Sequence, residues 1–232
     1  MIRLVLFDID GTLMATGGAG VRAFAAVARN VFGRPDGIVG MSFAGRTDLS
    51  IIRQFFTHCA IDPSPENFTR FLDDYVFWLD HLLGERPGRV LPGVRPLITA
   101  LHGLRNPPLL GLLTGNIRLG AEIKLRHFGL WEEFTVGAFS DDHESRNHLA
   151  AIARDRGEEL LGTPLRGEEI LVIGDTPLDI ECARAIDAHC LAVATGGATA
   201  DVLRSHQPTW TVPTLEHFDP VRLLSCGVSP TP

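Results

Sequence analysis

Three short segments carry residues that could act together. Asp8-Ile9-Asp10-Gly11-Thr12 follows the apolar run 4–7, Thr114-Gly115-Asn116 follows 109–113, and Gly174-Asp175-Thr176-Pro177-Leu178-Asp179 follows 170–173. In an open parallel sheet, ligands sit beyond the carboxyl ends of the strands. The strand ends are therefore read together, and they deliver Asp8, Asp10, Asp175 and Asp179 to one edge. Four carboxylates that close cannot all ionise unless a cation neutralises them. Hard oxygen ligands, with water in the remaining positions, suit Mg²⁺. Asp8 and Asp10 also differ in the work open to them: one can stay ionised on the metal while the other holds a proton for a leaving oxygen. Each segment alone has an ordinary use, as an Asp-Gly turn, a helix N-cap or a loop. Their succession after three apolar runs is what points to a site.

The elements that must position these residues can be read from periodicity. The runs 4–7, 109–113, 134–139, 170–173 and 190–194 are rich in Val, Leu, Ile and Phe without alternation, as strands buried on both faces should be. Helical patterns over 94–104, 117–128 and 147–161 separate the later ones. Strand–helix alternation predicts an α/β fold with a doubly wound parallel sheet. About a hundred residues separate the first strand from the second, too many for one crossover. Within them Phe68, Phe71, Leu72, Tyr75, Val76, Leu79, Leu82 and Leu83 keep helical spacing, and Ser64-Pro65 reads as an N-cap with proline at the first helical position. Two more helices are expected over 21–32 and 48–59. The reading is an inserted α-helical cap domain over 16–88, with 1–15 and 89–232 forming the α/β core. Thr16-Gly17-Gly18-Ala19-Gly20 lacks P-loop spacing and its lysine, and reads as the hinge into the insert. The tail after Gly227 is expected to fray.

Composition narrows the partners. The chain has 232 residues, 45% of them hydrophobic, and a net charge of −7, which argues against a broad nucleic-acid surface. No apolar run approaches the roughly 18 residues of a membrane span, and the N-terminus runs into a strand without a basic-then-apolar leader, so no secretory signal is expected. Cys59, Cys182, Cys190 and Cys226 show no paired metal spacing and fit a reduced, cytoplasmic protein. The nine histidines, His143 and His148 among them, show no metal spacing and read as surface or packing residues. Of 21 basic residues only Lys124 is a lysine, so an arginine can stand where a lysine would otherwise serve.

Phe7-Asp8-Ile9-Asp10-Gly11-Thr12-Leu13, Leu113-Thr114-Gly115-Asn116 and Val172-Ile173-Gly174-Asp175-Thr176-Pro177-Leu178-Asp179 resemble motifs one, two and four of the haloacid dehalogenase-like (HAD) hydrolases. The resemblance spans the whole chain, including a helical cap after strand one, as in the phosphoglycolate-phosphatase-like branch with its Rossmann-like core. It implies that Asp8 is the nucleophile towards a phosphoryl group, that Asp10 is the general acid and base, and that Thr114 holds the phosphate, with Gly115 and Asn116 beside it in substrate binding. Mg²⁺ would bind the Asp8 carboxylate, the Asp10 backbone carbonyl and Asp175, with Asp179 assisting. An Asp nucleophile splits hydrolysis into phosphoryl transfer to the enzyme and attack by water. The expected substrate is a small phosphorylated metabolite, since a capped site fences out macromolecules.

Motif three departs from the family pattern, which places a lysine some thirty residues before the motif-four Asp. Arg146, 29 residues before Asp175 and at the start of a helix, is expected to replace it. The rival for this role is Lys124, the only lysine, but it lies 51 residues ahead of Asp175 on the helix after Thr-Gly-Asn and is read as a solvated helix residue. Gly45-Arg46-Thr47-Asp48 precedes a helix in the insert, with Thr47 or Asp48 as N-cap, and Arg46 is a candidate to read the leaving group. A sugar-phosphate mutase is the rival within the family, although residues 13–21 lack the His and basic residue such mutases carry in the hinge. Dehalogenase and phosphonatase chemistry have no need of the acid that Asp10 supplies. A non-catalytic binding protein on the same fold is the rival from another class.

Overall fold

The computed structural model describes residues 1–222; the expected fraying after Gly227, and Cys226, lie outside the described residues. In chain order the elements are β1 (Leu4–Phe7), β2 (Met14–Ala15), α1 (Ala19–Asn30), α2 (Asp48–His58), α3 (Pro65–Leu83), β3 (Arg89–Val90), α4 (Val94–His102), β4 (Leu109–Leu113), α5 (Arg118–His127), β5 (Val136–Ala138), α6 (Arg146–Leu161), β6 (Ile170–Gly174), α7 (Pro177–Ala185), β7 (His189–Val193), α8 (Ala200–Ser205) and β8 (Trp210–Val212). Six strands form one sheet in the order β5-β4-β1-β6-β7-β8, and every pairing is parallel. The chain leaves β1 towards β4 and β5, then crosses back to β6 and beyond. The carboxyl end of β1 therefore sits where the winding reverses, the place such sheets bind ligands.

Both faces of the sheet are covered, which is why its strands read as unbroken apolar runs. Val5, Phe7, Leu112, Ile173 and Leu191 pack with Leu97, Ile98, Leu101, Ala121 and Leu125 of α4 and α5. Leu4, Leu6, Leu113, Val172 and Ala192 pack with Leu149, Ala153, Ile180 and Ala183 of α6 and α7 on the opposite face. A third cluster joins α1, α2 and α3 through Phe24, Val27, Ile52, Phe55, Phe71, Tyr75 and Leu79. The insert thus has an apolar centre of its own. It leaves and returns through β2 and β3, a two-residue antiparallel pair that holds Met14 opposite Val90. Gly17 and Gly18 have φ of 63° and 78° at the entry to α1, a backbone that favours glycine.

Local details differ from expectation, among them a two-residue shift of α1 and an earlier end of α4. β5 covers only Val136–Ala138, because a 3₁₀ turn at Trp131–Glu133 occupies the approach to it. α6 begins one residue earlier than its apolar pattern, on Arg146. β8 closes the sheet edge beyond the last expected strand, but its three residues after Pro208 form too short a run to stand out by periodicity. The N-caps behave as read: Ser64 Oγ accepts from Asn67 N at 3.4 Å, and Thr47 Oγ1 accepts from Ser50 N at 3.3 Å.

Candidate active site

The β1 and β6 ends, with α7, gather the carboxylates. One oxygen each from Asp8, Asp175 and Asp179 lies within 4.8 Å of the others, and all three residues are buried. Thr12 donates to Asp175 Oδ1 at 3.1 Å. The carboxylate is wedged against backbone, since a Cβ on Gly196 would stand 1.6 Å from Asp175 Oδ2 and one on Gly11 would stand 2.5 Å from it. Asp179 Oδ2 accepts from Thr176 N (3.0 Å) and Thr176 Oγ1 (2.7 Å), closing a capping box at the start of α7.

Arg146 enters this nest from the first turn of α6. Its guanidinium donates to Asp8 Oδ1 at 3.3 Å and also to Asp179 Oδ1. Burial works against the Arg146 charge, yet Asp179 and Asp8 hold its pKa above the ordinary value. Burial also dominates the carboxyl groups. It pushes Asp8 well above the usual carboxylate range, Asp179 adding repulsion and Arg146 opposing it. Asp175 is raised to about 7 by burial first and Asp179 second. One guanidinium does not satisfy three buried carboxylates, and the donor set fits a hard cation. Among the described residues no hydrogen bond falls on Asp8 Oδ2 or Asp175 Oδ2, and Asp8, Asp175 and Asp179 are the residues close enough together to hold such an ion.

Asp10 lies apart from the nest. Its side chain is 43% exposed, and its Oδ2 accepts from Lys124 Nζ at 2.6 Å and from Asn116 Nδ2 at 2.9 Å. Lys124, expected on a solvated face, is only 3% exposed. The face of α5 explains this: Gly120, Ala121, Lys124 and Leu125 are its buried residues, so the lysine stem lies in the packed interface and its ammonium emerges at the site. Lys124 Nζ also donates to Asn116 Oδ1 at 2.5 Å. Thr114 is fully buried, and its Oγ1 accepts from Asn116 Nδ2 at 2.8 Å.

The insert reaches these loops through its 45–48 turn. Asp48 N donates to Gly115 O at 2.7 Å, and Thr47 Oγ1 donates to Glu144 O at 2.8 Å. Arg46 borders the cavity, but its guanidinium is engaged with Gln54 Oε1 and the Ser50 carbonyl of α2. His143 and His148 stack on each other with ring centroids 4.2 Å apart, and neither belongs to the carboxylate group that could hold a metal. Between the insert and the sheet edge lies a cavity of about 410 Å³, bordered by Asp8, Asp10, Thr114, Lys124, Arg146 and Tyr75.

Sequence reasoning weighed Lys124 against Arg146 and set it aside as solvated, and it gave Asp48, Thr12 and Gly196 no part in this site. The buried face of α5 carried a signal for the first. The others depend on contacts across the fold.

A buried carboxylate nest at the carboxyl edge of a parallel sheet, roofed by a helical insert after β1, marks an α/β hydrolytic enzyme. The family model of haloacid dehalogenase-like hydrolases matches residues 2–187, and the chain belongs to that family. A protein of Dickeya dadantii named probable phosphatase IndB is 27% identical over 219 residues, 90% of this chain and 88% of its own. CbbY from Rhodobacter sphaeroides, solved in complex with phosphate, shares the fold at TM-score 0.72 and 19% identity, with 94% of this chain and 96% of that one covered. A predicted phosphoglycolate phosphatase from Haemophilus somnus gives TM-score 0.72 at 17% identity, covering 97% and 98% of the two chains. Among the described residues no helix is long and apolar enough to cross a membrane.

Proposed function

We propose that the chain is a Mg²⁺-dependent phosphatase of small phosphorylated metabolites, of phosphoglycolate or sugar-phosphate size, working through an aspartyl-phosphate on Asp8. Residues 16–88 form its cap and the remainder its catalytic core, in the cytoplasm. The observation that carries the reading is Arg146 on Asp8 Oδ1 at 3.3 Å inside the Asp8–Asp175–Asp179 nest. A nucleophilic carboxylate must be ionised, and burial opposes that at Asp8. Arg146 supplies part of the compensation. Asp8, the Asp10 carbonyl and Asp175, with Asp179 behind them, would hold Mg²⁺, which when bound supplies the remaining positive charge and polarises the phosphoryl oxygens.

In the first half-reaction an Asp8 oxygen bonds to phosphorus, the bond to the leaving oxygen breaks, and Asp10 gives that oxygen a proton. In the second, water attacks phosphorus and returns a proton to Asp10, freeing Asp8 and phosphate. Thr114 and Arg146 donate hydrogen bonds to the transferring group. A cavity of about 410 Å³ suits a small metabolite, and the names of the Dickeya and Haemophilus proteins support phosphate-ester chemistry.

The test is phosphate release from phosphoglycolate and p-nitrophenyl phosphate, with and without Mg²⁺. The reading expects Mg²⁺-dependent release that Asp8→Asn abolishes. Release that is absent from the unmodified protein, or unchanged in Asp8→Asn, contradicts it.

A further inference from the structure

We propose that Lys124 is a positioning residue for the acid–base step: it pins Asp10 by Oδ2 and leaves Oδ1 as the oxygen that carries the proton. This rests on the phosphatase reading above. The two cations of the site divide its two working carboxylates between them. Arg146 touches Asp8, whereas Lys124 Nζ lies 2.6 Å from Asp10 Oδ2. Asn116 Nδ2 adds a second donor to the same oxygen at 2.9 Å, and Asn116 Oδ1 in turn accepts from Lys124 at 2.5 Å. The three side chains form a closed ring of hydrogen bonds, two of them charge-assisted through the ammonium.

That ring has a direction. With two N–H donors on Oδ2, a proton on the Asp10 carboxyl belongs on Oδ1, where no hydrogen bond falls among the described residues. The 43% exposure of the Asp10 side chain leaves it open to the cavity. A general acid works only when its proton lies within hydrogen-bond reach of the leaving oxygen. An aspartate half exposed at a loop would otherwise sample several rotamers. Lys124 is a costly way to restrain it, because a buried ammonium needs compensation. Its burial at 3% exposure makes the contact a built feature rather than a surface ion pair. The lysine also sits under the insert. A Cβ on Gly20 of α1 would be 3.7 Å from Nζ and equally far from the Tyr75 hydroxyl, so the insert covers the lysine end of the ring.

The experiment compares two leaving groups. The p-nitrophenolate ion departs without a proton, whereas the alkoxide of β-glycerophosphate requires one. Lys124→Met should lower kcat/KM for β-glycerophosphate at least ten-fold further than for p-nitrophenyl phosphate. Asp10→Asn should show the same bias, and the double variant should lose no more than Asp10→Asn alone, as expected for residues acting through one group. Lys124→Arg keeps the charge and should recover part of the alkyl-phosphate rate, and it serves if Lys124→Met is insoluble. Equal losses on both substrates in the soluble variants, or losses that multiply with Asp10→Asn, overturn the proposal while leaving the phosphatase reading intact. Failure of the unmodified, Mg²⁺-loaded protein on both substrates overturns the phosphatase reading itself.

Discussion

Asp48 Oδ2 accepts a 2.8 Å hydrogen bond from the backbone N–H of Ile117, so a carboxylate from the insert caps the start of a core helix. The same turn binds Gly115 O through Asp48 N, Glu144 O through Thr47 Oγ1, and Ser140 Oγ through Leu49 N. Arg53 on α2 adds an ion pair to Glu144. The insert therefore grips two core loops at once, the one carrying Thr114 and the one leading into Arg146.

The Asp48 contact predicts a pH dependence of stability. Burial raises its pKa from 3.8 to about 7, against the opposing pull of Lys124 and the Ile117 N–H. The folded protein then keeps a proton that the unfolded chain has already released between those values. Stability contributed by Asp48 is therefore lost as pH rises towards 7 and regained on acidification. With Mg²⁺ in excess, Tm should fall between pH 5 and 7.5, and Asp48→Asn should flatten that slope. An unchanged slope in Asp48→Asn would contradict the assignment.

Gly115 is predicted to be intolerant of a side chain. A Cβ there would stand 2.1 Å from the Arg46 carbonyl oxygen, which is backbone and cannot swing aside. Gly115→Ala should push the 45–48 turn off the loop. Displacements of about 1 Å around reacting groups cost on the order of 10²-fold. Steady-state kinetics should show kcat/KM down by about that factor, with a native circular dichroism spectrum.

Arg146→Ala should remove most activity and also lower stability, because it leaves Asp179 and Asp8 buried without their guanidinium. Breaking a buried pair from one side costs about 3–5 kcal/mol. Arg146→Lys, which restores the charge but not the planar guanidinium whose Nη2 meets both carboxylates, should fall between the two. Thermal melts and turnover of the three proteins side by side check the order.

Metal removal should act through Asp175. Its pKa of about 7 in the metal-free nest means its carboxylate charges across neutrality, and a bound cation favours the charged form. Added Mg²⁺ should therefore raise Tm more at pH 8 than at pH 6, and Asp175→Asn should erase most of the difference. Differential scanning fluorimetry reads both.

Much of this site was legible because the fold class converts strand ends into neighbours. Asp8, Thr114 and Asp175 each follow a buried apolar run, and parallel winding brings those ends to one edge. Arg146 was visible through its distance from Asp175 and its place at a helix start. Lys124 was misjudged as solvated because residue type was weighed above helix face. Ile117, Gly120, Ala121, Lys124 and Leu125 keep the spacing of a packed stripe, and all are buried. Asp48 and Gly196 left no comparable trace. A residue just inside a capped helix and a Thr-Gly-Gly turn look the same in sequence whether or not a distant loop closes on them. β8 was missed because three residues cannot establish a period.

The central claim is that Asp8 carries the phosphoryl group between two half-reactions. Its most direct test is acid-quenched mass spectrometry of the Mg²⁺-loaded protein turning over p-nitrophenyl phosphate. The account predicts a peptide containing Asp8 heavier by one phosphoryl group, lost on chase with water and absent in Asp8→Asn. Phosphate release in solution with that peptide never labelled, or with the label on another residue, would contradict it.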